Sequence, residues 1–312
     1  MSDIKHRFVA LDYMHGRLHH IDENNPAANW SVPSDGMLQD LQLAGAGRLI
    51  VSLDDGWSFR RLADGGEMGR VKTGVTGIAT LCLLPEGGVL AGLNTPAGIE
   101  LVAFDDHGKT VRTYGFHDFK DLRQLRRSSA GSWLFAHHDG AVEVELTGAQ
   151  PRVLRSFTVP GAQYAYQLVR KADGHYLFSG GYAKGNFELT ADGRCLRAFA
   201  VTQPPGLESY YYSGFQLLAN GHVVQANWNG HNDSDYRHGL KLFEFDPQGN
   251  TVWSWIAPKE QVGAITAFII LDGLDPALPH DDTSGIMEPM LTWEPPFEER
   301  RFPNPPSNLF VS

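Results

Sequence analysis

The stretch Phe243-Glu244-Phe245-Asp246-Pro247-Gln248-Gly249-Asn250-Thr251-Val252-Trp253-Ser254-Trp255 decides the fold. Phe243 and Phe245 flank a charged residue, a turn carrying Pro247 and Gly249 follows, and a second alternating segment ends on an aromatic side chain. Alternation with period two, broken by a tight glycine turn, is the mark of an antiparallel hairpin. The pattern recurs from Val102 to Tyr114, around Asp105-Asp106-His107-Gly108, and from Phe187 to Phe199, around Thr190-Ala191-Asp192-Gly193. Trp255, Tyr114 and Phe199 share one register, and a degenerate copy ends at Phe157.

A second element lies between these copies. A turn ends in glycine and an apolar run follows: Gly47 before Arg48–Leu53, Gly87 before Gly88–Leu93, Gly131 before Ser132–His137, Gly174 before His175–Gly180, and Gly221 before His222–Asn227. The period is roughly 40 to 50 residues, that of propeller blades. Each unit then has four strands, a to d, with a and b flanking the first turn and c and d the second. Five units are complete, over residues 38–75, 78–116, 121–159, 163–201 and 212–257. Residues 7–32 supply strands b, c and d of a sixth, and Ala264–Leu271 supplies its missing strand a. The expected fold is all-β, a six-bladed β-propeller closed by a C-terminal strand that completes the N-terminal blade. Closure leaves no free sheet edge along the ring.

This reading divides the chain into a propeller over residues 1–271 and a proline-rich tail over 272–312. Pro295, Pro296, Pro303, Pro305 and Pro306 exclude helix and interior strand from the tail. Trp293, Phe297, Phe302 and Phe310 make it too apolar for a plain linker, so it is expected to pack along the ring or to join two copies in a homo-oligomer.

The 312 residues would suit two ordinary domains, but all-β propellers reach this length as one unit. The chain is 42% hydrophobic, enough for a core, and its 34 Gly and 18 Pro suit many short strands. A net charge of −10 argues against nucleic acid as a partner. There is no basic cluster for an anionic membrane and no apolar run long enough to span one. The N-terminus lacks the apolar core of a secretory signal, so a cytoplasmic protein is expected. Cys82 and Cys195 fall in predicted strands without a Cys-x-x-Cys motif, and both are expected as buried thiols.

The a–b and c–d turns are short, whereas the b–c and d–a connections are long and polar. Strand alternation sends the long ones to a single rim, around one mouth of the central channel, and loops on a rigid scaffold are where function sits. The b–c loops bring Tyr182, His138 with Asp139, and Asn227 with Trp228; Tyr13 and His15 stand in the equivalent loop of blade one. The d–a loops bring His117, Tyr164, and Glu208 with Tyr210, Tyr211 and Tyr212. Tyrosines beside a carboxylate suit a polar, ring-shaped ligand, since the ring packs and the hydroxyl hydrogen-bonds. Candidate ligand-binding residues are therefore Asn227, Trp228, Tyr212, Tyr182, Glu208 and His117. A bland alternative for Asn227, and for His137, is a hydrogen bond tying neighbouring blades.

The richest loop runs from Asn227 to Gly239 and includes His231, Asp233, Asp235 and His238. Imidazole and carboxylate there could hold a divalent metal, although the spacing matches neither an EF-hand loop nor a zincin helix. They could equally act as general acid and base, which makes His231, His138 and Asp139 the candidate catalytic residues of a hydrolase, lyase or isomerase. His19 and His20 stand mid-strand, away from the mouth, and read as structural. No nucleophile elbow, phosphate loop or dinucleotide fingerprint occurs.

From Tyr210 to Leu271 the sequence resembles a family of uncharacterised bacterial six-bladed propellers, loosely akin to quinoprotein-like and arylsulfotransferase-like propellers. The resemblance rests on Phe215-Gln216-Leu217-Leu218-Ala219-Asn220-Gly221, on Asn227-Trp228-Asn229-Gly230-His231, and on Leu242–Asp246 followed by Gly249 and Val252-Trp253. It implies the fold and points to the loop of the last blade, and it supplies no reaction. Only Trp30, Trp253 and Trp255 stand where quinoproteins carry regular docking tryptophans, so a pyrroloquinoline quinone (PQQ) cofactor is not expected. Two functions follow. One is a site for a small polar molecule such as a sugar or sugar acid; the other is a non-catalytic protein-interaction platform. The crowding of polar residues at the channel mouth, rather than on the outer wall, favours the first.

Overall fold

A computed structural model describes residues 3–34, 39–159, 161–199, 208–230 and 239–290. Six four-stranded antiparallel sheets form the blades of a propeller. In blade one, Ile265–Ile270 pairs with Arg7–Asp12, with Phe8 opposite Ile270 and Val9 opposite Ile269. The C-terminal strand thus closes the ring as the repeat required. Blades two to six follow in chain order, their inner strands being Leu41–Gly45, Ile78–Leu83, Leu125–Arg127, Leu168–Arg170 and Tyr211–Leu217.

Strand alternation welds the blades together. In Arg7–Asp12, Phe8 and Ala10 pack with Val224, Leu242 and Trp253 of blade six. Val9 and Leu11 face the other way, onto Leu41, Leu49 and Val51 of blade two. The rule repeats around the ring, giving one apolar cluster between each pair of neighbours. Each fully buried Val, Leu or Phe contributes about 1.5–3 kcal/mol, and hydrogen bonds such as Leu83 N–H to Gln42 Oε1 and Phe215 N–H to Gln167 Oε1 add to the packing that holds blade to blade. The outermost strands lack a second packing face. Cys195, expected to be buried, is for that reason exposed in the outer strand Cys195–Phe199, while Cys82 is buried in an inner strand.

The two turn elements have distinct physics. In the c–d turns Asp105 Oδ1 accepts from the N–H groups of His107 and Lys109, at 2.8 and 3.0 Å. Asp246 Oδ1 does the same for Gln248 and Asn250, at 2.9 and 2.8 Å. The recurring Asp-x-x-Gly is therefore an Asx turn completed by a left-handed glycine. In the a–b turn of blade three, Gly88 has φ of +84°, and a Cβ there would lie 2.2 Å from the Phe104 carbonyl oxygen.

Beyond the closing strand, residues 272–290 run as a strap under the a–b rim. The N–H groups of Ala46 and Gly47 donate to Ala277 O and Pro276 O, Ser129 N–H donates to Thr283 O, and Ile286 bridges to Leu217. Blades two, four and six are thereby tied by one segment. Asp282 of the strap reaches Arg126 at 3.2 Å, and Arg126 also grips Asp40 through two contacts of 3.0 and 3.1 Å. Burial, with Asp281 adjacent, pushes the Asp282 carboxyl up to about 6 against the pull of Arg126. Between strap and inner strands a void of about 20 Å³ remains, room for roughly one water. Among the described residues no helix is long and apolar enough to cross a membrane.

Candidate functional site

The opposite rim gathers the b–c and d–a connections, and there the channel opens into a pocket of about 360 Å³. Five tyrosines line it, Tyr13, Tyr164, Tyr166, Tyr182 and Tyr211, together with Trp228, Gln39, Thr266 and Arg123. Blade six supplies two of the walls. Tyr211 pairs with Trp228 across the inner two strands, so both rings point to one side, 5.6 Å apart. Alternation turns their neighbours away. Tyr212 is fully buried against Phe243, with ring centroids 5.4 Å apart, and packs in the apolar cluster between blades five and six.

A glycine assembles the third wall. Gly181 has φ of +63°, and a Cβ there would collide with the carbonyl oxygens of Gln163 and Tyr164, at 2.2 and 2.4 Å. Without that Cβ, the loop entering blade five lies directly on the b–c loop of the same blade. Tyr182 N–H donates to Gln163 O at 3.0 Å, and Tyr212 N–H donates to Gly181 O at 3.1 Å. Three connections meet on one residue, and the rings of Tyr164, Tyr182 and Tyr211 are thereby brought together, Tyr182 lying 6.1 Å from Tyr164 and 4.8 Å from Tyr211. Tyr164 itself takes φ of +52°, a left-handed backbone that costs an aromatic residue about 1–2 kcal/mol. Such strain gathers where geometry serves a purpose beyond stability.

Among the described residues, Arg123 is the one charged member of the lining. Its guanidinium stands 5.7 Å from the centre of the Tyr164 ring, within the reach of a cation–π contact. Its Nε is buried without a hydrogen-bond partner among the described residues. Burial pushes the Tyr166 and Tyr211 phenols up, so both are neutral at physiological pH. The Tyr211 hydroxyl donates to Tyr164 O, and that of Tyr166 to Gln39 O at 3.4 Å.

Of the residues singled out from sequence, Trp228 and Tyr182 line the pocket. His138 stands just outside it, exposed, its ring 4.4 Å from Tyr164 and its Nδ1 3.0 Å from Asp121. Asp139 beside it is exposed and 3.5 Å from His137 Nδ1. His137 turns inward instead, against Phe119, and burial pushes its imidazole down. Glu208 is exposed and 3.9 Å from Lys184 Nζ, and His117 is exposed with Nδ1 on Ala97 O; neither reaches the pocket. Asn227 is fully buried and structural: its Oδ1 accepts from Tyr210 and Tyr211 N–H, and its Nδ2 donates to Leu240 O. His231 lies outside the described residues. Arg123 was missed because the d–a loop between blades three and four also offers His117 and Asp118, and sequence does not tell which member turns inward.

One group of three potential metal ligands occurs among the described residues, Asp173, His175 and Glu188. It is on the a–b side of blade five, away from the pocket. Lys171 Nζ already bridges Asp173 and Glu188 at 2.9 and 2.8 Å, and Arg197 holds Glu188 at 2.8 Å. Cations of the chain itself satisfy these acids, so the group gives no ground for a metal centre.

No family model and no curated protein matches the sequence. The fold is a six-bladed β-propeller. A protein of unknown function from Bacteroides caccae is similar at 18% identity, over 85% of this chain and 98% of that one, with a TM-score of 0.69. A streptogramin B lyase is similar at 10% identity and a TM-score of 0.56, over 79% of this chain and 78% of that one. A catalytically inactive virginiamycin B lyase from Staphylococcus aureus with quinupristin has the same identity and TM-score, over 81% and 84%. At these identities the likeness is one of fold.

Proposed function

We propose that this propeller binds a small, polar, ring-shaped molecule, of the sugar or sugar-acid kind, in the pocket at the channel mouth. The observation that carries the reading is the lining itself: five tyrosines and Trp228 around about 360 Å³ of space. Small-molecule pockets run from about 300 to 1,000 Å³ and combine apolar walls with a few fixed polar groups. Here the ring faces of Tyr182 and Trp228 pack against C–H surfaces, while phenols, Gln39 and Thr266 offer hydrogen bonds to hydroxyls. A lyase of the same fold is seen with quinupristin, which supports the use of such a scaffold to hold a discrete molecule.

Binding rather than turnover is the part of the reading that the lining supports. His138 and Asp139 stand outside the pocket wall. The test is a fluorescence titration against a panel of monosaccharides, uronic acids and small phenols, with Trp228→Phe reporting which signal belongs to the pocket. At least one compound is expected to saturate, and Tyr182→Ala should weaken it by at least about tenfold, or about 1.4 kcal/mol, at unchanged melting temperature. A panel in which nothing saturates, while a protein partner docks on the same face, would replace this reading with that of an interaction platform.

A further inference from the structure

We infer that the occupant of the pocket is an anion, a carboxylate carried on the ring, and that Arg123 is the residue that reads it. The inference rests on the pocket being a small-molecule site and adds the charge of what enters. It starts from an imbalance. A guanidinium offers five N–H donors, and buried polar groups are almost always hydrogen-bonded. Arg123 Nε is buried and has no partner among the described residues. An unmet buried donor costs about 1–3 kcal/mol, and more when charged, so a site that retains one has left room for an acceptor from outside.

The described neighbours do not supply that acceptor. No described carboxylate forms an ion pair with Arg123. Asp40, lower in the channel, is taken up by Arg126, Gln124 and Thr80. Asp121, which acts on Tyr211 through space, is engaged by His138 Nδ1. The rest of the described lining is neutral, and two of its phenols are held protonated by burial. Among the described residues of the wall, a ligand anion therefore meets one positive charge and no competing negative one. The contrast with a buried arginine is instructive: Arg126 has Asp40 and Asp282 on either side, as a structural arginine should.

Geometry adds specificity. The position of Arg123 over Tyr164 limits how the guanidinium plane can turn. A fixed planar fork matches the two oxygens of a carboxylate and gives paired, charge-assisted hydrogen bonds. The chain carries −10 overall, so its general field repels anions and their capture must be local. Anion affinity here is thus a property of one residue, not of a basic surface.

The experiment compares acids with their neutral counterparts: glucuronate with glucose, galacturonate with galactose, and 4-hydroxyphenylacetate with 4-hydroxyphenylethanol. Binding is read by calorimetry on the full chain, on Arg123→Met and on Arg123→Lys. In the wild type at least one acid should bind about tenfold or more tightly than its neutral partner. Arg123→Met should remove that preference, and Arg123→Lys should restore part of it. The wild-type comparison stands even where a variant fails to fold. Equal binding of acid and neutral partner overturns the anion inference and leaves the pocket reading standing. A preference that survives in folded Arg123→Met overturns the role of Arg123. Binding of neither member of any pair overturns both readings. The sugar and phenol pairs separate a saccharide ring from an aromatic one.

Discussion

Stability should fall as pH rises from about 6.5 to 9, and His6 should be the cause. The imidazole sits where the N-terminal segment, blade six and the start of the strap meet. Its Nε2 lies 2.8 Å from Glu244 and its Nδ1 2.7 Å from Asp272, while the ring meets Trp253 edge-on at 4.6 Å. Burial alone would push it down, but hydrogen bonds and charge from the two carboxylates outweigh burial and lift it from 6.5 to about 9. A basic group whose folded value is raised stabilises fully below its unfolded value and loses that stabilisation as pH passes the folded one. The interval from 6.5 to about 9 corresponds to about 3 kcal/mol as a ceiling. Asp272 is 41% exposed, so solvent screens one of the two partners and about 1–2 kcal/mol is the better expectation. One buried group opposes the trend. Burial brings Lys241 down to about 8, so it adds stability as pH climbs from there toward its ordinary value. The measurement must therefore be a difference: urea unfolding of wild type and His6→Gln at half-unit steps from pH 6 to 10. Lys241 is common to both and cancels. The wild type should lose its advantage over the variant across this window, whereas parallel curves would refute the assignment.

Two further outcomes follow from packing. Gly131→Ala and Gly88→Ala both place an L side chain on a left-handed backbone, but a Cβ meets nothing within 4 Å at Gly131 and a carbonyl oxygen at 2.2 Å at Gly88. Thermal unfolding should show a loss of about 1 kcal/mol for the first and at least about 2 kcal/mol more for the second; equal losses would mean that the contact carries no weight. Maleimide labelling of the native protein should modify Cys195 alone, with Cys82 reacting only after unfolding, because burial pushes the Cys82 thiol up to about 12. Labelling of both thiols in the native state would contradict the inner-strand position of Cys82.

The ring was legible because its information is local and repeated. Asp-x-x-Gly turns, glycine hairpins and alternating apolar residues announce themselves within a few positions, and five copies identify the orphan strand Ile265–Ile270 by elimination. The pocket was legible only as a rim. Trp228 and Tyr182 were found because they are aromatic residues in b–c loops. Tyr212 was preferred over Tyr211 because nothing in a run of three tyrosines sets the phase; that phase comes from pairing with Asn227 and Trp228, a tertiary fact. Asn227 looked like a ligand-seeking polar residue in an apolar strand, and its partners turned out to be backbone groups that only the folded loop supplies. Arg123 gave no signal, since an arginine in a loop is ordinary until its neighbours are known.

The strap has a consequence for traffic. Among the described residues, Asp282 and its hairpin lie across the lower opening and leave a void of only about 20 Å³ there, so the propeller is a cup and not a pipe. A molecule held in the proposed site would then enter and leave by the same doorway, past Tyr182 and Trp228. A bulky competitor lodged at the lip therefore blocks escape as well as entry, and a chase experiment would show it slowing release of a molecule already inside. Grafting the protein to a surface through its corked end would leave that doorway facing the solution.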